Sequence, residues 1–125
     1  MPSILIVDNE TAIATMCGNF LESAGFNIAT ASSAEEALKY RERFDLALLD
    51  VVMPGCTGVE LAKELQKKNP QMKIIFMSGN VFDVSLPNGS ILLEKPFTLS
   101  FVEKQIRESL GSPIEQTYIG NQVQD

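Results

Sequence analysis

Four polar side chains, Asp8, Asp50, Ser78 and Lys95, each stand where a short apolar run of the sequence ends. If these runs are strands of one parallel sheet, their carboxyl ends line one crevice, which is where such sheets bind ligands. Carboxylate oxygens suit a hard cation such as Mg²⁺, which takes one or two protein carboxylates together with waters and phosphate oxygens. A lysine and a hydroxyl would pair with an incoming anion. The residue types therefore indicate a site for a cation and an anion together.

The strands that would position these residues are short apolar runs, as expected for strands covered on both faces. We predict strands at residues 3–7, 26–31, 44–49, 73–77 and 91–94. Helical spacing follows the first strand, where the apolar positions are Ile13, Met16, Cys17, Phe20, Leu21 and Ala24. Capping boxes at Ser33 to Glu36 and Thr57 to Glu60 open two further helices, the first ending at about Arg43. Strand and helix thus alternate, which predicts an α/β fold with a parallel sheet between two layers of helices.

Two segments break this alternation. Residues 78–90 contain glycines, asparagines and a proline, so we expect any helix between the fourth and fifth strands to be short or missing. A last helix is predicted from about Leu99 to Leu110, with Gly111 after its end. We therefore expect one domain over residues 1–111, and a polar tail or the start of a linker over residues 112–125.

The composition excludes several classes of function. The 125-residue chain has 45% apolar residues and a net charge of -6 without a basic stripe, which argues against direct nucleic-acid binding. It has no histidine, which excludes histidine-dependent triads, most zinc sites and an internal phosphohistidine. No apolar run is long enough to span a membrane, and a strand that begins at Ser3 leaves no room for a signal peptide. We therefore expect a cytoplasmic protein that does not bind membranes.

Four motifs in this order resemble the response-regulator receiver domain of two-component signalling, the CheY-like family. They are Val7-Asp8-Asn9-Glu10, Leu48-Leu49-Asp50 with Met53-Pro54-Gly55, Met77-Ser78-Gly79, and Glu94-Lys95-Pro96-Phe97. The resemblance covers residues 3–110. It implies a flavodoxin-like five-stranded parallel sheet of strand order 2-1-3-4-5. It also implies a cis peptide bond between Lys95 and Pro96, which proline permits at low energetic cost.

The resemblance also implies a role for each site residue. Asp50 would be the phosphoacceptor, which takes a phosphoryl group from a histidine kinase or a phosphotransfer protein. Ser78 would hydrogen-bond this group, and Lys95 would pair with its charge. Mg²⁺ would be the cofactor, and its ligands would be Asp8, Asn9, Asp50 and the backbone carbonyl of Val52. The protein would then be a signalling phosphoacceptor that signals to an output domain or an effector protein, and its only catalysis would be its own phosphotransfer and slow autodephosphorylation.

The chain departs from the family pattern at three places. Asn9 stands where a second acid is usual, so the metal site would lose one charge. Leu92 stands where receivers often carry an aromatic switch residue, which rules out an aromatic rotamer mechanism. The segment between Ser78 and Lys95 is shorter than is usual, so the surface that responds to phosphorylation would be remodelled.

Three other functions stay open from the sequence. A receiver fold that no longer uses phosphate would serve as an interaction module, which Asn9 and Leu92 favour but the intact Asp50, Ser78 and Lys95 do not. A phosphatase of the haloacid dehalogenase type would use Asp8 as its nucleophile, although Glu10 replaces the second aspartate that such enzymes carry. A flavodoxin-like flavin carrier would need a Ser/Thr-rich phosphate loop after the first strand, which is missing here.

Overall fold

A computed structural model describes residues 1–79 and 85–111 of the chain. Five parallel strands form one sheet in the order β2-β1-β3-β4-β5, which confirms the predicted fold. The strands are β1 Ser3–Val7, β2 Asn27–Ala31, β3 Leu46–Asp50, β4 Lys73–Ser78 and β5 Ile91–Glu94. The helices are α1 Thr11–Ser23, α2 Ala34–Leu38, α3 Gly58–Lys68 and α4 Leu99–Gly111. None of these helices has the length and hydropathy that crossing a bilayer requires, among the residues that the structure describes.

The core lies in two layers because successive side chains of a strand point to opposite faces of the sheet. On β1, Ile4 and Ile6 face α1 and α4, whereas Leu5 and Val7 face α2 and α3. Every residue of β3 is buried, since this strand lies at the centre of the sheet with helices over both faces. The end of β3 is consequently a position at which a polar side chain is largely removed from water.

The first helix lies close against β2 because Gly18 faces the sheet. A Cβ atom at this position would lie 3.3 Å from Cγ2 of Ile28 and 3.5 Å from Cγ2 of Thr30. The buried face of α1 is formed by Ala14, Cys17, Gly18 and Leu21. The prediction that Met16 belongs to this face was wrong, because this side chain is 51% exposed. The small residues, rather than the methionine, set the inner face of the helix.

The second helix is shorter than predicted and ends at Leu38 instead of about Arg43. Its start agrees with the prediction, since Ser33 Oγ accepts the Glu36 amide proton at 3.1 Å. The Glu36 carboxylate, however, accepts hydrogen bonds from the backbone and hydroxyl of Ser32, at 2.5 and 3.0 Å. The helix ends early because the following residues make tertiary contacts: the Tyr40 hydroxyl donates to the Thr30 carbonyl at 2.8 Å.

The capping box of α3 is present as predicted. The Thr57 hydroxyl accepts the Glu60 amide proton at 3.1 Å, and the Glu60 carboxylate accepts the Thr57 amide proton at 2.9 Å. Between β4 and β5, residue 79 and residues 85–90 contain no helix. The prediction of a short or missing helix between β4 and β5 also concerns residues 80–84, which lie outside the described residues, as does the predicted tail at 112–125.

Candidate functional site

Asp50 ends β3 and is only 5% exposed, although it is charged in its ordinary ionisation state. Its neighbour Val51 donates a backbone hydrogen bond to the Met77 carbonyl at 2.9 Å, which ties the strand end to β4. The Val52 amide approaches Asp50 Oδ1 at 3.3 Å. The strand end and the carboxylate are therefore fixed by the two backbone amides that follow Asp50.

Gly58 brings the start of α3 against the end of β3. A Cβ atom at this position would collide with the backbone carbonyl oxygen of Asp50 and lie 3.0 Å from Cα of Val51. The Gly58 amide also donates to the Val51 carbonyl at 2.9 Å. The position of Asp50 thus depends on a glycine eight residues further along the chain, a role that no motif in the sequence indicates.

Asp8 directly follows β1 and is fully buried. Both of its carboxylate oxygens are engaged: Oδ1 accepts the Glu10 amide proton at 2.9 Å, and Oδ2 accepts a hydrogen bond from Lys95 Nζ at 2.8 Å. The first contact fixes the turn into α1, where Glu10 is the N-cap residue. Asp8 therefore links the turn after β1 to the lysine after β5.

Lys95 joins the acidic side chains of the site. Its Nζ atom lies 2.8 Å from Asp8 Oδ2, 3.1 Å from Glu10 Oε1 and 3.6 Å from Asp50 Oδ2, and the side chain is 12% exposed. Its backbone amide donates to the Ser78 carbonyl at 2.9 Å, and the bond to Pro96 is cis, as the family resemblance implies. Burial lowers the pKa of Lys95, but the hydrogen bonds to Asp8 and Glu10 and the charges of Asp50 and Asp8 outweigh this and raise it. The Lys95 side chain therefore carries a positive charge at neutral pH.

The pKa of Asp50 is raised from 3.8 to about 6. The main cause is burial, which disfavours the charged carboxylate, followed by repulsion from Asp8. The positive charge of Lys95 and the Val52 amide oppose this shift, but they do not cancel it. Burial and the neighbouring Asp8 carboxylate together thus disfavour the charged form of Asp50.

Ser78 ends β4 and is buried beside the strand end that carries Asp50. The next residue, Gly79, has open space around the position that a Cβ would occupy. The structure thus places the predicted residues Asp8, Asp50, Ser78 and Lys95 at the carboxyl ends of β1, β3, β4 and β5. This is the crevice in which ligands of such sheets bind.

Three carboxylates could hold a metal ion in this crevice. Asp8, Glu10 and Asp50 each offer an oxygen, and these oxygens lie within 4.8 Å of one another. Three carboxylates against one ammonium leave two negative charges, and oxygen donors of this kind suit Mg²⁺. Glu10 was missed as a ligand candidate, although an acid three residues after the end of β1 could have suggested it. The predicted ligands Asn9 and Val52 are exposed, with Val52 at 67%.

The comparisons with known proteins agree with this geometry. The family model for the response regulator receiver domain matches residues 4–107. A receiver domain protein from Methanospirillum hungatei is similar in structure, with a TM-score of 0.79 and 33% identity over 89% of this chain and 94% of that one. The response regulator TrrA from Thermotoga maritima, solved with Mg²⁺-BeF, has a TM-score of 0.78 and 33% identity over 88% of this chain and 100% of its own. TrrA has also been solved in complex with the histidine kinase ThkA.

The chain is also similar to whole proteins and to parts of longer ones. The response regulator receiver protein CpdR from Brucella abortus is 31% identical over 118 residues, which cover 88% of this chain and 98% of CpdR. In four other curated relatives, the chain corresponds to only 12% to 40% of the relative's length. The domain therefore occurs both alone and within larger proteins.

Proposed function

The chain belongs to the response regulator receiver domain family, and from this premise we propose that Asp50 accepts a phosphoryl group from a partner histidine kinase or phosphotransfer protein. An Asp50 carboxylate oxygen attacks the phosphorus, and the bond from phosphorus to the donor's imidazole nitrogen breaks. The electron pair of that bond stays on the imidazole, which leaves. The observation that carries the proposal is the placement of Lys95, which lies 3.6 Å from Asp50 and can pair with the arriving charge.

Asp50 suits the acceptor role better than Asp8 does. The nucleophile needs a carboxylate oxygen that an incoming phosphorus atom can reach. Asp8 is fully buried and its two oxygens accept hydrogen bonds at 2.9 and 2.8 Å, whereas Asp50 is slightly exposed and the contacts of its oxygens are longer, at 3.3 and 3.6 Å. This difference supports a receiver over a phosphatase that uses Asp8. TrrA pairs with a histidine kinase, and this chain is 31% identical to the matched chain of that complex. The pairing therefore supports a kinase as the phosphoryl donor.

We further propose that Mg²⁺ assists the transfer, with Asp8, Asn9, Asp50 and the Val52 carbonyl as ligands. Glu10 joins this set, because it supplies the carboxylate that Asn9 lacks. A bound Mg²⁺ would neutralise charge on the phosphoryl oxygens. The residues of the chain position the reacting groups. Asp8 holds Lys95 in place, and the Asp50 carboxylate is fixed at the strand end by the backbone around Val51 and Gly58.

The phosphorylated state would act through Ser78 and Lys95. A phosphoryl group carries nearly two negative charges at pH 7 and three acceptor oxygens. Lys95 would then release the Glu10 carboxylate and pair with the phosphoryl group. The Ser78 hydroxyl would donate a hydrogen bond to a phosphoryl oxygen. The Lys95 amide donates to the Ser78 carbonyl, so this hydrogen bond would pass a shift of either residue to the other at the ends of β4 and β5. The change would reach an effector protein or an output domain in the cytoplasm from there, and the receiver domain would comprise residues 1–111.

The test is labelling with acetyl phosphate and Mg²⁺, read by intact-protein mass spectrometry. We expect one phosphoryl group on the native chain, none on Asp50→Asn, and normal labelling of Asp45→Asn, a change of the same kind at an exposed aspartate. Labelling that survives in Asp50→Asn would contradict the proposal. An unlabelled native chain, with acetyl phosphate and with phosphorylated histidine kinases as donors, would favour the phosphate-independent interaction module. Turnover of a phosphate ester that Asp8→Asn abolishes would favour the phosphatase.

A further inference from the structure

A second cavity, of about 430 Å³, opens at the amino ends of the strands, so the length of β3 separates it from Asp50. One wall is the segment that follows α2, and the other is the C-terminal end of α3 with the residues after it. We call it the basic cavity, and its lining residues include Lys39, Tyr40, Arg41, Arg43, Phe44 and Lys68. It shares no lining residue with the acidic site.

Hydrogen bonds tie the two walls of the basic cavity together. Lys68 Nζ donates to the Leu38 carbonyl at 2.8 Å, and Asn69 Nδ2 donates to the Phe44 carbonyl at 3.0 Å. The first bond satisfies a free carbonyl at the end of α2, and the second holds the segment before β3. Specific tertiary contacts therefore define the shape of the cavity, since the same contacts that end α2 early also hold its walls together.

The charge of the lining is opposite to that of the chain. Four of the ten basic residues, Lys39, Arg41, Arg43 and Lys68, line this cavity with one acid, Glu42, although the chain carries a net charge of -6. The lining thus has an excess of three positive charges. An excess of this size favours a dianion, and arginine forks hold phosphate oxygens in a bidentate manner.

The base of the basic cavity is apolar. Phe44, Leu65 and Met72 are buried there, and the Tyr40 ring meets the Phe44 ring edge to face at 5.6 Å. Ligand cavities of small molecules typically have volumes of about 300 to 1,000 Å³ and combine apolar walls with a few polar groups. An apolar base under basic side chains fits a ligand with both an apolar body and an anionic end.

We propose that the basic cavity binds a small organic phosphate in which a flat aromatic group carries the phosphate. The aromatic group packs against Phe44 and Met72, and the phosphate pairs with Arg41 and Arg43 at the rim. This site does not depend on phosphorylation of Asp50, because the two sites lie at opposite ends of the sheet and share no residue.

The test adds 1-naphthyl phosphate as a probe to the full chain in metal-free buffer. Binding is measured from the changes in the NMR chemical shifts of the backbone amides. We expect shifts in residues 39–44 and 65–72, in both the native chain and Asp50→Asn. We also expect at least about tenfold weaker binding of 1-naphthol, which lacks the charge, and of inorganic phosphate, which lacks the ring. Equal binding of inorganic phosphate would mean an adventitious ion only, and equal binding of 1-naphthol would mean apolar binding only; either result overturns the proposal.

A pair of charge variants completes the test. Arg41→Ala with Arg43→Ala should weaken binding of 1-naphthyl phosphate by at least about tenfold. Lys63→Ala with Lys104→Ala removes the same charge from two exposed residues outside the basic cavity, so its affinity should stay within about twofold of native. Equal weakening in both pairs, shifts confined to the residues around Asp50, or no shifts at all would overturn the proposal.

Discussion

Replacing Asp50 with asparagine should stabilise the metal-free protein at neutral and alkaline pH. The folded structure raises the pKa of Asp50 from 3.8 to about 6, mainly through burial and then through repulsion from Asp8. The side chain is almost wholly buried, so the shift needs no correction for exposure. The difference between the two pKa values corresponds to about 3 kcal/mol, which the charged carboxylate costs the folded state above pH 7. Asparagine is neutral and close in shape, so it removes this cost.

The direction of the Asp50 pKa shift determines how the stability difference between the variant and the native chain changes with pH. Because the folded pKa is the higher one, protonated Asp50 stabilises the folded state at pH values below about 4. This stabilisation is lost as the pH rises through about 6. The variant has no such titration. Its advantage over the native chain should therefore be largest, at most about 3 kcal/mol, near pH 8, and should shrink by about 1.4 kcal/mol between pH 8 and pH 5.

The assay is urea unfolding in the presence of EDTA, followed by far-ultraviolet circular dichroism because the chain has no tryptophan. Free energies of unfolding are compared for the native chain, Asp50→Asn and the control Asp45→Asn at pH 8 and pH 5. Lys95 keeps its contacts with Asp8 and Glu10 in the Asp50 variant, so the lysine is not left without partners. An Asp50→Asn protein that is less stable than native at pH 8, or a difference that does not change with pH, would refute the reasoning.

Three further changes test the metal site and its support. Asn9→Asp adds a negative charge beside the site and should raise Mg²⁺ affinity several-fold by calorimetric titration; unchanged or weaker binding would show that residue 9 is not near the metal. Glu10→Gln removes one of the three clustered carboxylates and should weaken Mg²⁺ binding by about tenfold, whereas Glu22→Gln near the other end of α1 should not. Gly58→Ala places a Cβ against the Asp50 carbonyl, so it should cost about 2 kcal/mol of unfolding free energy and slow acetyl phosphate labelling; native stability and rate would contradict the close approach.

The fold was predictable because its signals are local and repeat along the chain. Apolar runs such as Ile4 to Val7 are too uniform for a half-exposed strand, and the helical spacing between them leaves few topologies. The capping box of α3 was also read correctly, since its two hydrogen bonds join residues three apart. The end of α2 was not, because it depends on contacts of Tyr40 with β2 and of Lys68 with Leu38, which are distant in sequence.

The site residues also divide into those that a local sequence pattern identifies and those that depend on contacts made in the fold. Asp8, Asp50, Ser78 and Lys95 could be found because each ends a strand or directly follows one, and the strand ends of a parallel sheet meet. Glu10 is different, since its carboxylate reaches the site only through the turn that Asp8 fixes by accepting the Glu10 amide proton. Gly58 depends on a close approach of two backbones, which no spacing rule expresses. The roles of Glu10 and Gly58 thus depend on the three-dimensional fold rather than on a local sequence pattern.

The charges of the crevice also connect the stability prediction to the proposed function. Burial raises the pKa of Asp50, and the charge of Asp8 raises it further, in a crevice where three carboxylates face one lysine and leave two uncompensated negative charges. A divalent cation supplies the missing charge, so it should lower the pKa of Asp50 and reduce the cost of the carboxylate that has to attack phosphorus. The negative charge that adds to the cost of ionising buried Asp50 therefore also attracts the cation. For this reason, the advantage of Asp50→Asn should fall when saturating Mg²⁺ replaces EDTA.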